Sequence, residues 1–465
     1  MNHPIQPALG HSLSPSIAPT PFSASVLANE PYVRFAVTDI DGVCRGKHLS
    51  GEKVAGMLAD GGTIASALFG WDIADALYDN VSFTGFHTGY PDVGLHLDAS
   101  TARQLPWDDN RWLILGEHTQ ADGSPLPICP RQVLKKVLKK ADAMGFSAQV
   151  GMEFEWFVLK ETELSVREKG YRNLETATQG LTNYSPFRID GQHGFVRDLF
   201  NYLPAIGVPL EALHTEAGPG NFEAAIRYGD ALQAADRAVV FKQAVREIGR
   251  RHGLLNTFMA KFSTAYAGCG GHMHQSLWKG GVNAFHDASK QHGMSDTLRH
   301  FIAGQLYLLP QLFPLYAPFI NSYKRLVDGN LAPVKPTWAV DNRNVSLRVI
   351  PGSASATRLE TRTPGADANP YLAIAAALAS GLYGIEHQLE LTQAAVTGAD
   401  VGAEGLERLP RTLAEATDAL DRSTLARELL GDAFVTHFVQ TRQWEVRRFN
   451  QAVTDWELQR YLELV

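Results

Sequence analysis

Cysteine is scarce in this chain. Three residues (Cys44, Cys129, Cys269), an odd number at unrelated spacings among 465, exclude a disulfide framework and suit reduced thiols. A charge excess is lacking too. The 42 Lys+Arg against 49 Asp+Glu leave a net charge of −7, which removes the electrostatic case for nucleic acid or an anionic membrane surface. No apolar run suits a membrane span: residues 371–385 carry Ser380 and Gly381, and residues 305–320 are broken by Pro310, Pro314 and Pro318. The Walker pattern G-x-x-x-x-G-K-[ST] is missing, which excludes a P-loop. Residues 1–29 hold no Asp, Glu, Lys or Arg and no continuous apolar core, so they read as a flexible leader and not as a secretory signal. A cytoplasmic protein is expected.

What is present is chemistry at a spacing of two. Residues 151–156 (GMEFEW), 271–275 (GHMHQ) and 357–362 (TRLETR) alternate polar and apolar residues. Side chains alternate across a strand, so Glu153 and Glu155 share one face, as do His272 and His274, and Arg358, Glu360 and Arg362. The opposite faces, with Met152, Phe154, Trp156, Met273 and Leu359, belong in a core. A sheet face carrying carboxylates, imidazoles and guanidiniums is costly unless it neutralises ions or a charged substrate.

Around these strands the pattern is mixed. Residues 32–41 read as a strand and 130–141 as a helix with proline at its start; its four lysines form a solvated face. A long helix is expected over 230–252, followed by a strand over 254–261. Further helices are expected over 298–309 (stopped by Pro310), 369–389, 418–430, and 432–464 with a break. The turn residues at 123–127 mark a boundary. The organisation is a leader (1–29), a β-rich N-terminal domain (30–125) and a larger α+β domain (126–465).

Glu216 and Glu223 flank the glycine-containing loop 217–222, and His272 and Glu360 complete a set of five carboxylates and one imidazole. Hard oxygen ligands suit Mg²⁺ or Mn²⁺, and a single imidazole makes Mn²⁺ acceptable. Arg325, Arg343, Arg348, Arg358 and Arg362 form a second group, whose planar forks suit carboxylate and phosphate. Divalent metal plus arginine points to phosphoryl transfer.

Six motifs in order, at 151–157 (GMEFEWF), 216–223 (EAGPGNFE), 270–276 (GGHMHQS), 321–327 (NSYKRLV), 341–343 (DNR) and 358–372 (from RLETR to ANPYL), resemble the glutamine synthetase family. The resemblance runs over roughly residues 30–465. It implies an α+β fold: an N-terminal β-grasp domain followed by a catalytic domain built on a curved antiparallel sheet with helices. It further implies a homo-oligomer, a dodecamer of two hexameric rings with active sites between subunits. By the same resemblance, Glu155, Glu216 and Glu223 hold the metal that orients glutamate, and Glu153, His272 and Glu360 the metal on the ATP phosphates, with two to three ions per site. His274, Ser276, Arg348 and Arg358 face the nucleotide. Arg343 stabilises the transferring phosphoryl group, while Arg325, Arg362 and Gly268 hold glutamate. The implied reaction is ATP-driven formation of γ-glutamyl phosphate and its capture by an amine.

The chain departs from ammonia-using members at two acids. The family glutamate six residues after the arginine of the NSYKR motif is replaced by Leu331, and the N-terminal aspartate falls near Ile64. A charge-assisted hydrogen bond is worth roughly 1.5–3 kcal/mol, so losing two costs ammonia a factor of order 10² to 10⁴. Leu331, with Leu68, Phe69 and Trp71 as candidates beside it, would form an apolar wall suited to an alkyl or aromatic amine. Asp72 or Asp328 could stand in for the missing acids, which keeps an ordinary glutamine synthetase open; a non-catalytic sensing or structural member is a separate alternative, against which the intact metal ligands argue. The family's adenylylation tyrosine has no counterpart in residues 410–432.

Overall fold

The computed structural model describes residues 22–180, 183–328, 331–399 and 403–465, with only the backbone of Ala24. Two sheets organise it. The first runs in the order Cys44–Leu49, Val33–Thr38, Arg111–Thr119, Asp92–Leu97, Gly62–Ala65, with Arg103–Leu105 also on Arg111–Thr119. Val33–Thr38 is antiparallel to Cys44–Leu49 but parallel to Arg111–Thr119. Helix Gly51–Asp60, capped by Ser50, sets Val54 and Met57 into a core with Phe35, Ile64, Leu95 and Ile114.

The second sheet runs Trp338–Val340, Leu347–Ile350, Arg358–Thr361, Gly271–Lys279, Ser147–Leu159, Asn221–Ile226, Leu210–Thr215. All these pairings are antiparallel except the first. The alternation expected at residues 151–156 is realised. Met152, Phe154 and Trp156 are at most 3% exposed, while Glu153 and Glu155 on the other face remain partly accessible. Each such aromatic contributes roughly 1.5–3 kcal/mol by leaving water. Trp156 also satisfies its one polar atom by donating Nε1–H to Asn256 Oδ1 at 2.9 Å.

Helices Ala231–Arg251, Asp296–Leu312 and Pro370–Glu386 bury the apolar side of this sheet in one continuous core. The last two approach backbone to backbone, because a Cβ at Gly304 would meet Ser380 O at 2.2 Å. The helix that opens the larger part, Pro130–Ala143, carries Arg131, which is 3% exposed and binds Asp236, Glu117 and Asp98, tying the two sheets together. Burial alone would lower the pKa of this guanidinium, but its bonds to Asp236 outweigh that and keep it charged.

Several expected elements differ. Of the leader, residues 1–21 lie outside the described residues, but its end is not a free arm. Ser23 caps helix Ala24–Ala28, Leu27 is fully buried, and Phe22 packs edge-on against Trp112. The strand expected over 254–261 shrinks to Leu255–Thr257, since Asn321 Oδ1 takes the Lys261 backbone N–H at 2.9 Å and no neighbouring strand is needed there. Pro310 does not stop its helix, which runs to Leu312. A proline near a C-terminus disrupts only the last turn. The single helix expected over 418–430 is two, Leu413–Arg422 and Thr424–Leu430, because Ser423 is extended and caps the second by accepting from Ala426 N–H at 3.0 Å. The break in the last helix falls between Gln451 and Asp455. Among the described residues no helix is long and apolar enough to cross a membrane.

Candidate active site

The polar face of the second sheet lines a cavity of about 1020 Å³. Strand register brings its acids together. Glu153 stands opposite His272, Glu155 opposite Glu223, and His274 opposite Glu360. Between the strands Leu210–Thr215 and Asn221–Ile226 the chain turns through Gly218 and Gly220. At Gly220 φ is +73° and a Cβ would meet Val158 O at 2.6 Å, so the turn requires glycine. That turn returns Glu223 to face His214 and Glu216.

Two groups of possible metal ligands result. Glu153, His272 and Glu360 present ligand atoms within 4.8 Å of one another, and so do His214, Glu216 and Glu223. Glu155 stands between the groups, with Oε1 3.9 Å from His272 Nε2. Carboxylate oxygens with one imidazole in each group fit Mg²⁺ or Mn²⁺. The electrostatics fit a cation as well. Burial, then repulsion from Glu155, Glu153 and Glu216, pushes the Glu223 carboxyl up to about 9. Burial also opposes ionisation of Glu153, but the adjacent His272 and His274 imidazoles, 3.7 and 3.0 Å away, hold it well below the usual carboxylate range.

The arginines ring this core. Arg325 is 5% exposed and donates to Thr363 O at 3.0 Å and Arg362 O at 3.2 Å; Gly268 packs on its side chain, where a Cβ would meet Cγ at 2.6 Å. Glu360, 1% exposed, receives Arg348 at 3.0 Å on one oxygen and Arg362 on the other. Arg348 also pairs with Asp341 at 2.5 Å, and Arg362 Nε donates to Arg343 O at 3.1 Å. Arg343 itself is exposed at the cavity. Arg358 Nε donates to His274 Nδ1 at 3.2 Å, which leaves the His274 proton on Nε2, 3.0 Å from Glu153 Oε1 but off the line a hydrogen bond needs.

A second cavity of about 330 Å³ shares Glu153, His274 and Arg358 with the first and adds Tyr228, Trp278 and Ser276. Ser276 Oγ accepts from Trp278 Nε1 at 2.9 Å. Thus every metal, nucleotide and glutamate residue selected from the sequence lines one of two adjoining cavities, as does Leu331, while the candidate wall residues Leu68, Phe69 and Trp71 do not. The Trp71 indole lies under the Arg45 guanidinium at 5.7 Å and lines neither. Leu68, 8% exposed in the first sheet's core, and Phe69, fully buried against Leu126, Ile128 and Cys129, line neither cavity. Leu331 lines the large cavity beside Ala332.

Two residues escaped the sequence reading. His214 lies 3.6 Å from Glu216 and 3.8 Å from Glu223. Its spacing of two from Glu216 is the same alternation that revealed the other pairs. Tyr184 packs its ring on His214 at 4.6 Å, from a loop with no periodic signal.

These features coincide with the comparisons. The glutamine synthetase catalytic domain matches residues 127–461. Type-1 glutamine synthetase 2 of Dictyostelium discoideum is 49% identical over 444 residues, 94% of this chain and 85% of that protein. Glutamate–isopropylamine ligase of a Pseudomonas species is 38% identical over 436 residues, 93% and 95% of the two chains. The solved structure of apo GmaS without ligand superposes with a TM-score of 0.82 at 29% identity, covering 95% of this chain and 99% of that one. With this α+β fold and acid–arginine cavity, the chain belongs to the glutamine synthetase family and is similar to its γ-glutamyl-amine ligase branch.

Proposed function

We propose that the chain is an ATP-dependent glutamate–amine ligase whose acceptor is a small alkyl or aromatic primary amine and not ammonia. The observation that carries this reading is the state of the acids that could replace the family's missing pair. Asp72 accepts from the backbone N–H groups of Ala74 and Ala76 at 2.9 Å each and from Trp444 Nε1 at 3.1 Å. Asp328 is paired with Arg408 and does not line the cavity. Both are already engaged, Asp72 by its own turn and Trp444 and Asp328 by Arg408, and Leu331 and Ala332 stand at the wall instead. Such a wall favours carbon over a hydrated ammonium.

Divalent ions at the two acid–imidazole groups would supply neutralisation of phosphate charge. Arg325 and Arg362, oriented by backbone carbonyls and Glu360, are suited to hold glutamate. His274, Arg348 and Arg358 are suited to the nucleotide phosphates, with Tyr228, Trp278 and Ser276 around its remainder. Exposed Arg343 is free to meet the phosphoryl group in transfer. A γ-carboxylate oxygen of glutamate attacks the terminal phosphorus and ADP leaves. The amine nitrogen then attacks the acyl carbon, phosphate leaves, and the nitrogen loses a proton. An aromatic amine enters neutral and needs no base before attack, which suits a site lacking the second acid.

Similarity to glutamate–isopropylamine ligase, and to γ-glutamylethanolamide synthetase of Streptomyces coelicolor at 36% identity, supports this acceptor class. The 49% identity to a glutamine synthetase supports the second reading, in which ammonia is used. Phosphate release measured with ATP, glutamate and Mg²⁺ across ammonia, isopropylamine, ethanolamine, putrescine and aniline separates them. Preference for isopropylamine or aniline is expected, and preference for ammonia refutes the proposal. Because Trp71 stands away from this chain's cavity, its part in an acceptor pocket requires a second copy. A homo-oligomeric ring, measured as mass by light scattering, belongs to the same proposal.

A further inference from the structure

Lys324, one residue before Arg325, faces a third cavity of about 460 Å³ that shares no lining residue with the large one. It lies among the loop 41–43, helix Ala231–Arg251, residues 257–259, the turn Ile320–Lys324 and helix Asp432–Gln451. Its floor holds Lys242, 7% exposed, whose ammonium donates to Ala368 O at 2.9 Å and lies over the Phe154 and Phe258 rings at 4.8 and 5.8 Å. One helical turn on, the Arg246 guanidinium lies over Phe258 at 5.2 Å, towards the mouth. Neither cation forms an ion pair with any described residue.

The acids lining the cavity do not fill that gap. Asp41 is taken by Arg442. Asp367 accepts from Ser322 Oγ at 2.5 Å through Oδ2, leaving Oδ1 buried without a partner. Burial, then repulsion from Asp41 and Asp72 against attraction by Arg442, raises the Glu445 carboxyl towards its neutral form. Burial likewise pushes the Lys242 ammonium down, to about 7, with Arg246 adding repulsion and Asp367 only partly opposing it. A buried cation is expected to be matched by a hydrogen-bonded anion, and this one is not matched by its own chain.

We propose that this cavity binds a small carboxylate with an apolar body, its carboxylate bridging Lys242 and Arg246 and its body lying on Phe258 and Met259. A guanidinium beside an ammonium suits a two-oxygen anion. The apolar walls from Phe258, Met259, Phe319 and Phe449 select a carbon skeleton over inorganic phosphate. The volume falls within the range of small-ligand pockets. Supplying the anion would remove the cost of the unmatched lysine, which is why the site favours a monoanion over a neutral molecule of the same shape.

The test is isothermal titration calorimetry of the full-length enzyme with sodium benzoate, repeated on Arg246→Gln and Lys242→Met and compared with sodium phosphate. Both substitutions lie outside the large cavity, so only binding that they weaken reports this site. Wild type should bind one benzoate per chain at this site, more tightly than phosphate, and each variant should lose roughly tenfold or more in affinity. Arg246 is exposed, so its variant carries the test should Lys242→Met fold poorly. No benzoate binding at millimolar concentration, an affinity unchanged in Arg246→Gln, or tighter binding of phosphate than of benzoate would overturn the proposal.

Discussion

Under the proposed function, replacing Leu331 with glutamate supplies the acid that the family resemblance expects at this position. Leu331 is 60% exposed and reaches into the large cavity. A surface substitution of this kind moves folding stability by no more than about 0.5 kcal/mol, so the effect should fall on acceptor choice. Two terms set its size. Losing the leucine removes contact with one or two carbon groups of a bound amine, at roughly 0.8 kcal/mol each, or about 1–2 kcal/mol. A new carboxylate adds a charge-assisted bond of roughly 1.5–3 kcal/mol for any acceptor that arrives as an ammonium ion. Isopropylamine and ammonia are both protonated near neutrality and share that gain. Their kcat/KM ratio should therefore shift towards ammonia by only about tenfold. Aniline is neutral and shares none of it, so the ammonia-to-aniline ratio should shift by roughly 10² or more. Steady-state kinetics on the three amines reads both ratios. An acceptor profile unchanged by Leu331→Glu would refute the assignment of this wall to the acceptor, whatever the wild-type preference.

Other perturbations follow from the same structure. Glu155→Ala removes a carboxylate whose repulsion helps raise Glu223. The metal-free protein should melt at the same temperature or higher, while turnover is lost and Mn²⁺ stabilisation weakens by at least ~10–100-fold in affinity; thermal shift with and without Mn²⁺ checks this, and an active variant contradicts it. Arg131→Met leaves Asp98 and Asp236 without their cation and Glu117 with Lys135 alone, and should cost about 3–5 kcal/mol in denaturant unfolding. Burial pushes the His118 and His437 imidazoles down to about 4 and about 3. Unfolding restores an ordinary value near 6.5, so each neutral ring contributes stability in full above that pH, on the order of 3 kcal/mol, lost as pH falls towards 4. His437→Leu should flatten the acid limb of the stability curve, and an unchanged limb would contradict this.

Much of the site was legible because strand geometry is simple. A spacing of two puts side chains on one face, and that alone gathered Glu153 with Glu155 and His272 with His274. Spacing alone does not place Glu155 opposite Glu223, since register depends on which strands become neighbours; only the family motifs grouped the two. His214 was within reach of the same rule and was overlooked only because its strand, Leu210–Thr215, lacks an apolar partner pattern on both sides. Tyr184 had no signal, being placed by a loop. Trp71 shows a different limit. Its sequence neighbourhood suggested an acceptor wall, yet the fold puts it against Arg45, and no property of one chain reveals what a neighbouring copy brings to a cavity. The helix ends missed at Pro310 and Ser423 are decided by tertiary contacts and a side-chain cap, both finer than periodicity.

The most direct test of the central claim is kcat/KM for the wild-type enzyme with ATP, glutamate and Mg²⁺, measured side by side for ammonia, isopropylamine and aniline. The apolar wall at Leu331 and the prior engagement of Asp72 and Asp328 predict that aniline exceeds ammonia by a factor of roughly 10² or more, and isopropylamine exceeds it by roughly tenfold. A higher value for ammonia would contradict the account and identify the enzyme as a glutamine synthetase in which Leu331 is incidental.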